Sequence, residues 1–122
     1  IVIPAPDEEE LLTRLRNSTE TELYIAPPLG LRQVASFLKT IDLLLCNDTG
    51  ILHLAAAVRT PTLSFHAISD PALWKPVGSR HVALYTAGGD ISGIDVNKVL
   101  EVIHGGIDNL KIGRSLPNGL AI

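Results

Sequence analysis

Four polar or small residues interrupt an otherwise apolar stretch, CNDTGILHLAAA at residues 46–57. Asp48, Thr49 and Gly50 fall where a predicted strand turns into a predicted helix, and His53 follows one helical turn later. Backbone N–H groups in the first turn of a helix are unpaired and attract phosphate, and glycine lets an anion approach them closely. Thr49 could donate a hydroxyl, Asp48 could accept from sugar hydroxyls, and His53 returns to the same side of the helix. These residues could therefore surround a diphosphate and its sugar.

The same residues also have an interpretation that needs no ligand. Asp48 could cap the helix, Gly50 could serve a tight turn, and His53 could be a core imidazole bonded to a backbone carbonyl. The spacing alone leaves both interpretations open. Cys46 lies among leucines with no activating partner nearby in the sequence, so we expect a core residue rather than a nucleophile.

The elements around this stretch alternate between strand and helix. The strands are predicted at residues 1–4, 22–26, 41–46, 60–66 and 81–86. The helices are predicted at residues 6–17, 31–40, 51–58 and 95–103, with a short helical turn inside residues 69–78. This alternation predicts an α/β fold with a Rossmann-like, doubly wound and mostly parallel sheet. In such sheets ligands bind at the carboxyl ends of strands, which is where the NDTG turn falls.

Finer details of these elements follow from the same patterns. The apolar run at residues 41–46 predicts a central strand covered on both faces. Residues 51–58 are apolar around most of the helix circumference, which predicts a buried helix. Asp7 is predicted near the cap of the first helix, and Asp95 is predicted to cap the last one.

Composition excludes several functional classes. The 122 residues are 46% hydrophobic, which favours a folded domain, and the net charge of −3 with scattered basic residues argues against nucleic acid as a partner. One cysteine cannot form an internal disulfide, and no 18-residue apolar run predicts a membrane span. We therefore expect a cytoplasmic location. The start at IVIP without a methionine leads us to expect one domain of a longer protein.

The segment NDTGILHLAAAVRTPTLSF, followed by SDPALWKPVG, resembles the C-terminal half of the family 9 glycosyltransferases, the lipopolysaccharide heptosyltransferases. That family carries a D-[ST]-G-x-x-H-x-x-A-A element before a short strand and a loop ending in P-x-G. The likeness extends from PAPDEEELLTRL near the start of the chain to about Gly78. It implies the C-terminal half of a GT-B fold, in which two Rossmann-like domains face each other across a cleft.

The resemblance also implies a domain organisation. Residues 1–110 would form the domain that binds the nucleotide-sugar donor, and residues 111–122 would form a C-terminal tail. The N-terminal domain that holds the acceptor would be absent from this chain, and with it the catalytic base. No catalytic residue is therefore expected here, and the exposed inter-domain face could support a dimer.

The resemblance further implies a ligand and its contacts. The substrate would be a nucleoside-diphosphate sugar similar to ADP-heptose, with no cofactor and no metal, and the acceptor would be a saccharide or lipid-linked molecule of the lipopolysaccharide type. The enzyme would be cytoplasmic or peripheral at the inner membrane. The implied donor contacts are Asp48, Thr49, Gly50 and His53 at the diphosphate and sugar, Glu8 at the ribose, and Leu29 at the adenine.

One departure from the family and two further hypotheses stay open. His66 stands where the family usually has a Gly-Pro pair, so its imidazole would either add a phosphate contact or narrow the pocket. Another GT-B enzyme, such as a sugar-nucleotide epimerase, would share the donor site. A non-catalytic module would keep the fold only as a binding surface.

Overall fold

A computed structural model of the chain describes residues 1–5 and 7–105. The chain divides after Val34 into two compact units. The last residues of the predicted donor domain, 106–110, and the predicted tail at 111–122 lie outside the described residues. The helices are α1 (Glu9–Asn17), α2 (Leu31–Leu38), α3 (Gly50–Ala57), α4 (Pro71–Trp74) and α5 (Val96–Gly105); the strands are β1 (Leu44–Asn47), β2 (Thr62–His66) and β3 (His81–Tyr85).

In the first unit, the two predicted strands at residues 1–4 and 22–26 are reduced to a single parallel bridge between Val2 and Ile25. The bridge consists of Val2 N–H donating to the Tyr24 carbonyl at 2.8 Å and Ala26 N–H donating to the Val2 carbonyl at 2.9 Å. The next ladder bonds would need N–H groups from Pro4 and from residue 28, which is also proline. The prediction of two strands was therefore wrong, because a proline on each strand prevents the next hydrogen bonds of the ladder.

The two helices that begin in the first unit each have a side chain bonded to a backbone N–H near their start. Glu8, next to the Asp7 that was predicted near the cap, is the N-cap of α1, and its carboxylate accepts from the Ala5 N–H at 2.8 Å. At the start of α2, the Gly30 N–H donates to Gln33 Oε1 at 2.9 Å, which is the returning half of a capping box.

The second unit contains a three-stranded parallel sheet in the order β1-β2-β3. This confirms the predicted α/β class with a parallel sheet. The prediction that residues 41–46 form the covered central strand was wrong. Within this sheet β2 is central, with Leu63 fully buried, whereas β1 lies at the edge and Leu45 is about half exposed. Along β1, Leu45 and Asn47 are exposed, whereas Leu44 on the other face is buried.

The connection from β1 to β2 runs through α3 and ends abruptly. Only Leu52 and Ala55 of α3 are buried, so the helix covers the sheet with one side and is not buried all round as predicted. Arg59 has φ 67°, and the N–H of Thr60 donates to the Ala55 carbonyl at 2.9 Å. These are the features of a Schellman motif, here with arginine in the left-handed position that glycine usually occupies. The motif returns the chain directly into β2.

The two later helices both begin with an aspartate that accepts from a backbone N–H of the first turn. In α4, the Asp70 carboxylate accepts from the Ala72 N–H at 2.8 Å. In α5, the predicted cap Asp95 accepts from the Asn97 N–H at 2.9 Å. Among the described residues, no helix is long and apolar enough to cross a membrane.

A buried polar row runs along one face of the central strand. Thr62, Ser64 and His66 alternate along β2, so their side chains share one face of the sheet, and all three are buried. Thr62 Oγ1 lies 3.0 Å from Nδ1 of His81, and Ser64 Oγ lies 2.9 Å from Nε2 of His66. Burial, with Lys75 and Arg80 nearby, lowers the pKa of His81, which favours its neutral form. The row reaches the carboxyl end of the sheet at His66.

Candidate functional site

The candidate site lies where β1 and β2 end. Asp48 directly follows β1, and its N–H donates to the Phe65 carbonyl at 3.2 Å, which continues the β1-β2 ladder by one bond. His66 is the last residue of β2. Parallel strands present their carboxyl ends at the same edge of the sheet, so these two side chains come together although 18 positions separate them in the sequence.

The Asp48 carboxylate lies between two imidazoles. Its Oδ1 lies 4.0 Å from Nε2 of His53, and its Oδ2 lies 3.7 Å from Nδ1 of His66. The side chain of His53 is 51% exposed, that of Asp48 is 17% exposed, and that of His66 is fully buried. The three side chains therefore run from the solvent into the protein, with the carboxylate in the middle.

The structure does not support the interpretation that needs no ligand. The N-cap of α3 is Thr49 rather than Asp48, and the Thr49 side chain makes no capping hydrogen bond. Its hydroxyl instead lies 3.5 Å from the Asn47 carbonyl. His53 is half exposed, so it is not a core imidazole.

Nothing in the described residues requires glycine at position 50. Its φ does not lie in the left-handed region, and a Cβ added there would meet no atom within 4 Å apart from its chain neighbours and the backbone of α3 itself. A tight turn therefore does not explain this glycine. An anion that approaches the first N–H groups of a helix needs room there, and glycine places no side chain in its way.

His66 is buried and engaged at both ring nitrogens. Nε2 lies 2.9 Å from Ser64 Oγ, and Nδ1 lies 3.1 Å from Ser69 Oγ. Such a ring has no free nitrogen for a phosphate, so of the two alternatives for His66 the added phosphate contact is not supported. A sequence signal for this cluster is the alternation of Ser64 and His66 on one strand face, with Asp48 continuing the matching face of β1.

The remaining predicted donor contacts belong to the first unit. Glu8 is half-buried, and its Oε2 is engaged with the Ala5 N–H. Leu29 is half-buried and comes two residues before α2. Their predicted contacts with ribose and adenine stay predictions.

A shallow apolar groove that the sequence did not reveal occurs in the second unit. It has a volume of about 240 Å³ and is lined by Asn47, Phe65, Ile91, Ile94 and Val99. Asn47 and Asp48 are consecutive, so their side chains point to opposite faces of the sheet, and the groove lies on the face away from the carboxylate. In the part of the chain that the structure describes, no group of three histidine, cysteine or acidic side chains could hold a metal ion.

Cys46 is predicted to react slowly with thiol reagents. Burial, together with the nearby Asp48 carboxylate, raises the pKa of its thiol to about 11 from an ordinary value of 9.0. The thiolate is the reactive form, so at pH 8 the folded chain should be alkylated by iodoacetamide about 100-fold more slowly than the same chain unfolded in urea. The rate is measured by mass spectrometry of quenched samples. Equal rates in the two states would contradict a suppressed thiolate.

Comparison with known proteins shows the family to which the chain belongs. The model of glycosyltransferase family 9 (heptosyltransferase) matches residues 1–93. The chain belongs to glycosyltransferase family 9. Lipopolysaccharide heptosyltransferase 1 of Escherichia coli O18:K1:H7 (strain RS218 / NMEC) is 29% identical over 99 residues, which are 81% of this chain and 30% of that protein. The Salmonella typhimurium protein of the same name is 28% identical over 100 residues, covering 82% of this chain and 31% of that protein.

A solved heptosyltransferase structure has a similar fold over the matched region. The structure of E. coli heptosyltransferase WaaC with ADP matches with a TM-score of 0.72 and 29% identity, covering 83% of this chain and 31% of that chain. The chain thus spans about a third of the length of these relatives. It shares their fold over most of its own length.

Proposed function

We propose that this family 9 chain binds the donor of a glycosyltransferase that moves a heptose-like sugar from a nucleoside diphosphate to a lipopolysaccharide-type acceptor. The single observation that carries the proposal is the start of α3: an N-terminus with no side-chain cap from Thr49, open space at Gly50, and Asp48 and His53 beside it. Family membership favours a transferase over an epimerase. The activity and acceptor of a longer protein are part of the proposal.

The diphosphate would bind at the start of α3. The unpaired N–H groups of the first turn and the positive end of the helix dipole favour an anion there. The Thr49 hydroxyl, which has only a long 3.5 Å contact with a carbonyl, could turn to donate to a phosphoryl oxygen. His53, half exposed, could donate from its ring to the same group.

The sugar would contact Asp48. A carboxylate accepts hydrogen bonds and cannot donate them, so it suits sugar hydroxyls and repels phosphate. Its position between His53 and His66 places Oδ1 on the more exposed side. The site thus offers donors to the diphosphate and an acceptor to the sugar.

The arrangement would also favour bond cleavage. As the bond between sugar and diphosphate breaks, negative charge grows on the departing phosphate, and fixed N–H donors stabilise such charge without rearranging. We propose no catalytic base within this chain. The base and the acceptor site would come from an N-terminal domain, so the chain alone is expected to bind donor without transferring sugar.

The base of the nucleotide is proposed to be adenine. The matching heptosyltransferase WaaC was solved with ADP, and the chain shares 29% of its residues over the matched region. Glu8 at the ribose and Leu29 at the adenine are retained as proposed contacts. The predicted dimer and cytoplasmic location remain predictions.

The test is a titration of the ¹⁵N-labelled chain followed by two-dimensional NMR. ADP and ADP-glucose should shift the backbone amides of Thr49, Gly50 and Ile51, and UDP and UDP-glucose should shift them less at equal concentration. Shifts at Glu8 and Leu29 would report the nucleoside contacts separately. The proposal fails if ADP-glucose leaves the amides of the NDTG turn unmoved while the chain is folded.

A further inference from the structure

The buried imidazole of His66 is held in one orientation. Ser64 Oγ lies 2.9 Å from Nε2 on one side, and Ser69 Oγ lies 3.1 Å from Nδ1 on the other. The ring is fully buried, so water does not replace either partner. A ring engaged at both nitrogens cannot turn over without losing both contacts, and leaving buried nitrogens unpaired is costly. Nδ1 therefore stays on the side of Asp48.

The proton arrangement of the ring suits a neighbouring carboxylate. Asp48 Oδ2 lies 3.7 Å from Nδ1, and a carboxylate favours a proton on the nitrogen that faces it. In the neutral ring Nε2 would then accept from the Ser64 hydroxyl at 2.9 Å, which is shorter than the alternative 3.3 Å contact of that hydroxyl with the Val82 carbonyl. With its proton on Nδ1, the ring donates toward Ser69 and Asp48 and accepts at Nε2 from Ser64.

We infer that His66 is a positioning residue for Asp48. The buried ring attracts Oδ2 toward the interior and thereby leaves Oδ1 directed to the opening, where His53 lies 4.0 Å away. This inference rests on the proposed function, in which Asp48 receives a hydroxyl of the donor sugar. His66 does not touch the donor; it acts through the carboxylate.

Two amide variants separate the two ring nitrogens. In His66→Asn the side-chain amide lies near the former Nδ1, and in His66→Gln it reaches the former Nε2. Both keep an amide and lose the ring, and they differ by one methylene group. Ser64→Ala is a second control, because it removes the partner of Nε2 without touching the side that faces Asp48.

The measured quantity is the ratio of the Kd for ADP to the Kd for ADP-glucose, which isolates the contribution of the sugar. His66→Gln should lower this ratio about fivefold, whereas His66→Asn and Ser64→Ala should keep it within about twofold of the parent chain. In an Asp48→Ala background, His66→Gln should have no effect on the ratio. Equal losses in the Gln and Asn variants, or a loss that persists without Asp48, would show that His66 only supports the fold.

A measurement without ligand separates failure of this inference from failure of the proposed function. The ¹³C resonance of the Asp48 carboxyl group should move in His66→Gln and stay in Ser64→Ala. If the parent chain binds neither ADP nor ADP-glucose, the proposed function is wrong, and this resonance still decides whether His66 positions Asp48. An unmoved resonance overturns the inference.

The reciprocal variant guards against a His66 substitution that does not fold. Asp48→Asn leaves the buried ring in place and changes only its partly exposed neighbour. The ¹⁵N resonance of His66 Nδ1 should move in this variant, and that of Nε2 should move much less. Equal displacements, or none, would contradict a specific contact between Nδ1 and the carboxylate.

Discussion

Asp48→Asn is expected to lower the ratio of the Kd for ADP to the Kd for ADP-glucose about tenfold. Hydrogen bonds to a charged group contribute about 1.5–3 kcal/mol, and tenfold in affinity corresponds to about 1.4 kcal/mol. The substitution keeps the shape of the side chain but replaces the charged carboxylate, which accepts from the sugar, with a neutral amide. It also removes a negative charge beside the proposed diphosphate position, so binding of ADP itself should become tighter.

This prediction is specific because the affinity for ADP should rise while the affinity for ADP-glucose falls. General damage to the site would weaken ADP and ADP-glucose together, whereas loss of a sugar acceptor weakens only the second. Asp42→Asn is the matched control, because Asp42 is an exposed carboxylate just before β1 and its replacement changes the net charge equally. Both dissociation constants are measured by calorimetry at one salt concentration. If ADP-glucose binds Asp48→Asn as tightly as it binds the parent chain, the sugar contact is removed from the proposal, even if tighter ADP binding lowers the ratio.

Gly50→Ala is expected to make the chain more stable and to weaken ADP binding. Alanine is favoured over glycine in a helix interior by about 0.5–1 kcal/mol, and the added methyl group would meet no atom within 4 Å apart from its chain neighbours and the backbone of α3 itself. The free energy of unfolding should therefore rise by about that amount. The same methyl group would occupy the approach to the first N–H groups of α3, so affinity for ADP should fall about tenfold.

Gly105→Ala serves as the control for this pair of effects. Gly105 is the last residue of α5, and a Cβ there also meets nothing within 4 Å. The control should leave ADP affinity unchanged. Urea unfolding gives the stability and calorimetry gives the affinity. If Gly50→Ala gained stability and bound ADP as the parent does, the diphosphate would not lie at this N-terminus.

The local features of the fold could be predicted because they depend on neighbours in the sequence. The cap at Asp95 and the short helix after Asp70 follow from side chains that reach backbone N–H groups two residues away. The parallel α/β class follows from the alternation of apolar patterns. The turn at residues 48–50 could be predicted for the same reason, since it joins a strand to a helix.

Other features depend on which strands pair with each other, and a local sequence pattern does not give that information. An apolar run at residues 41–46 predicts burial but does not say whether its strand is central or at the edge. The Val2–Ile25 bridge could not extend because prolines occur on both of its strands at matching positions, and that match appears only when the strands are paired. The sequence places Asp7 near the cap of the first helix, and the structure places the N-cap at Glu8, whose N–H donates to the Ala5 carbonyl.

By itself the sequence determined the family, the fold class and the residues of the NDTG turn, because family motifs and apolar periods are carried by consecutive residues. Only the tertiary structure decided what surrounds Asp48. His53 and His66 approach its carboxylate from opposite sides, at 4.0 and 3.7 Å, because one belongs to the following helix and the other ends the neighbouring strand. Parallel pairing brings strand ends together across long stretches of chain, so the partner of a strand-end residue is set by register.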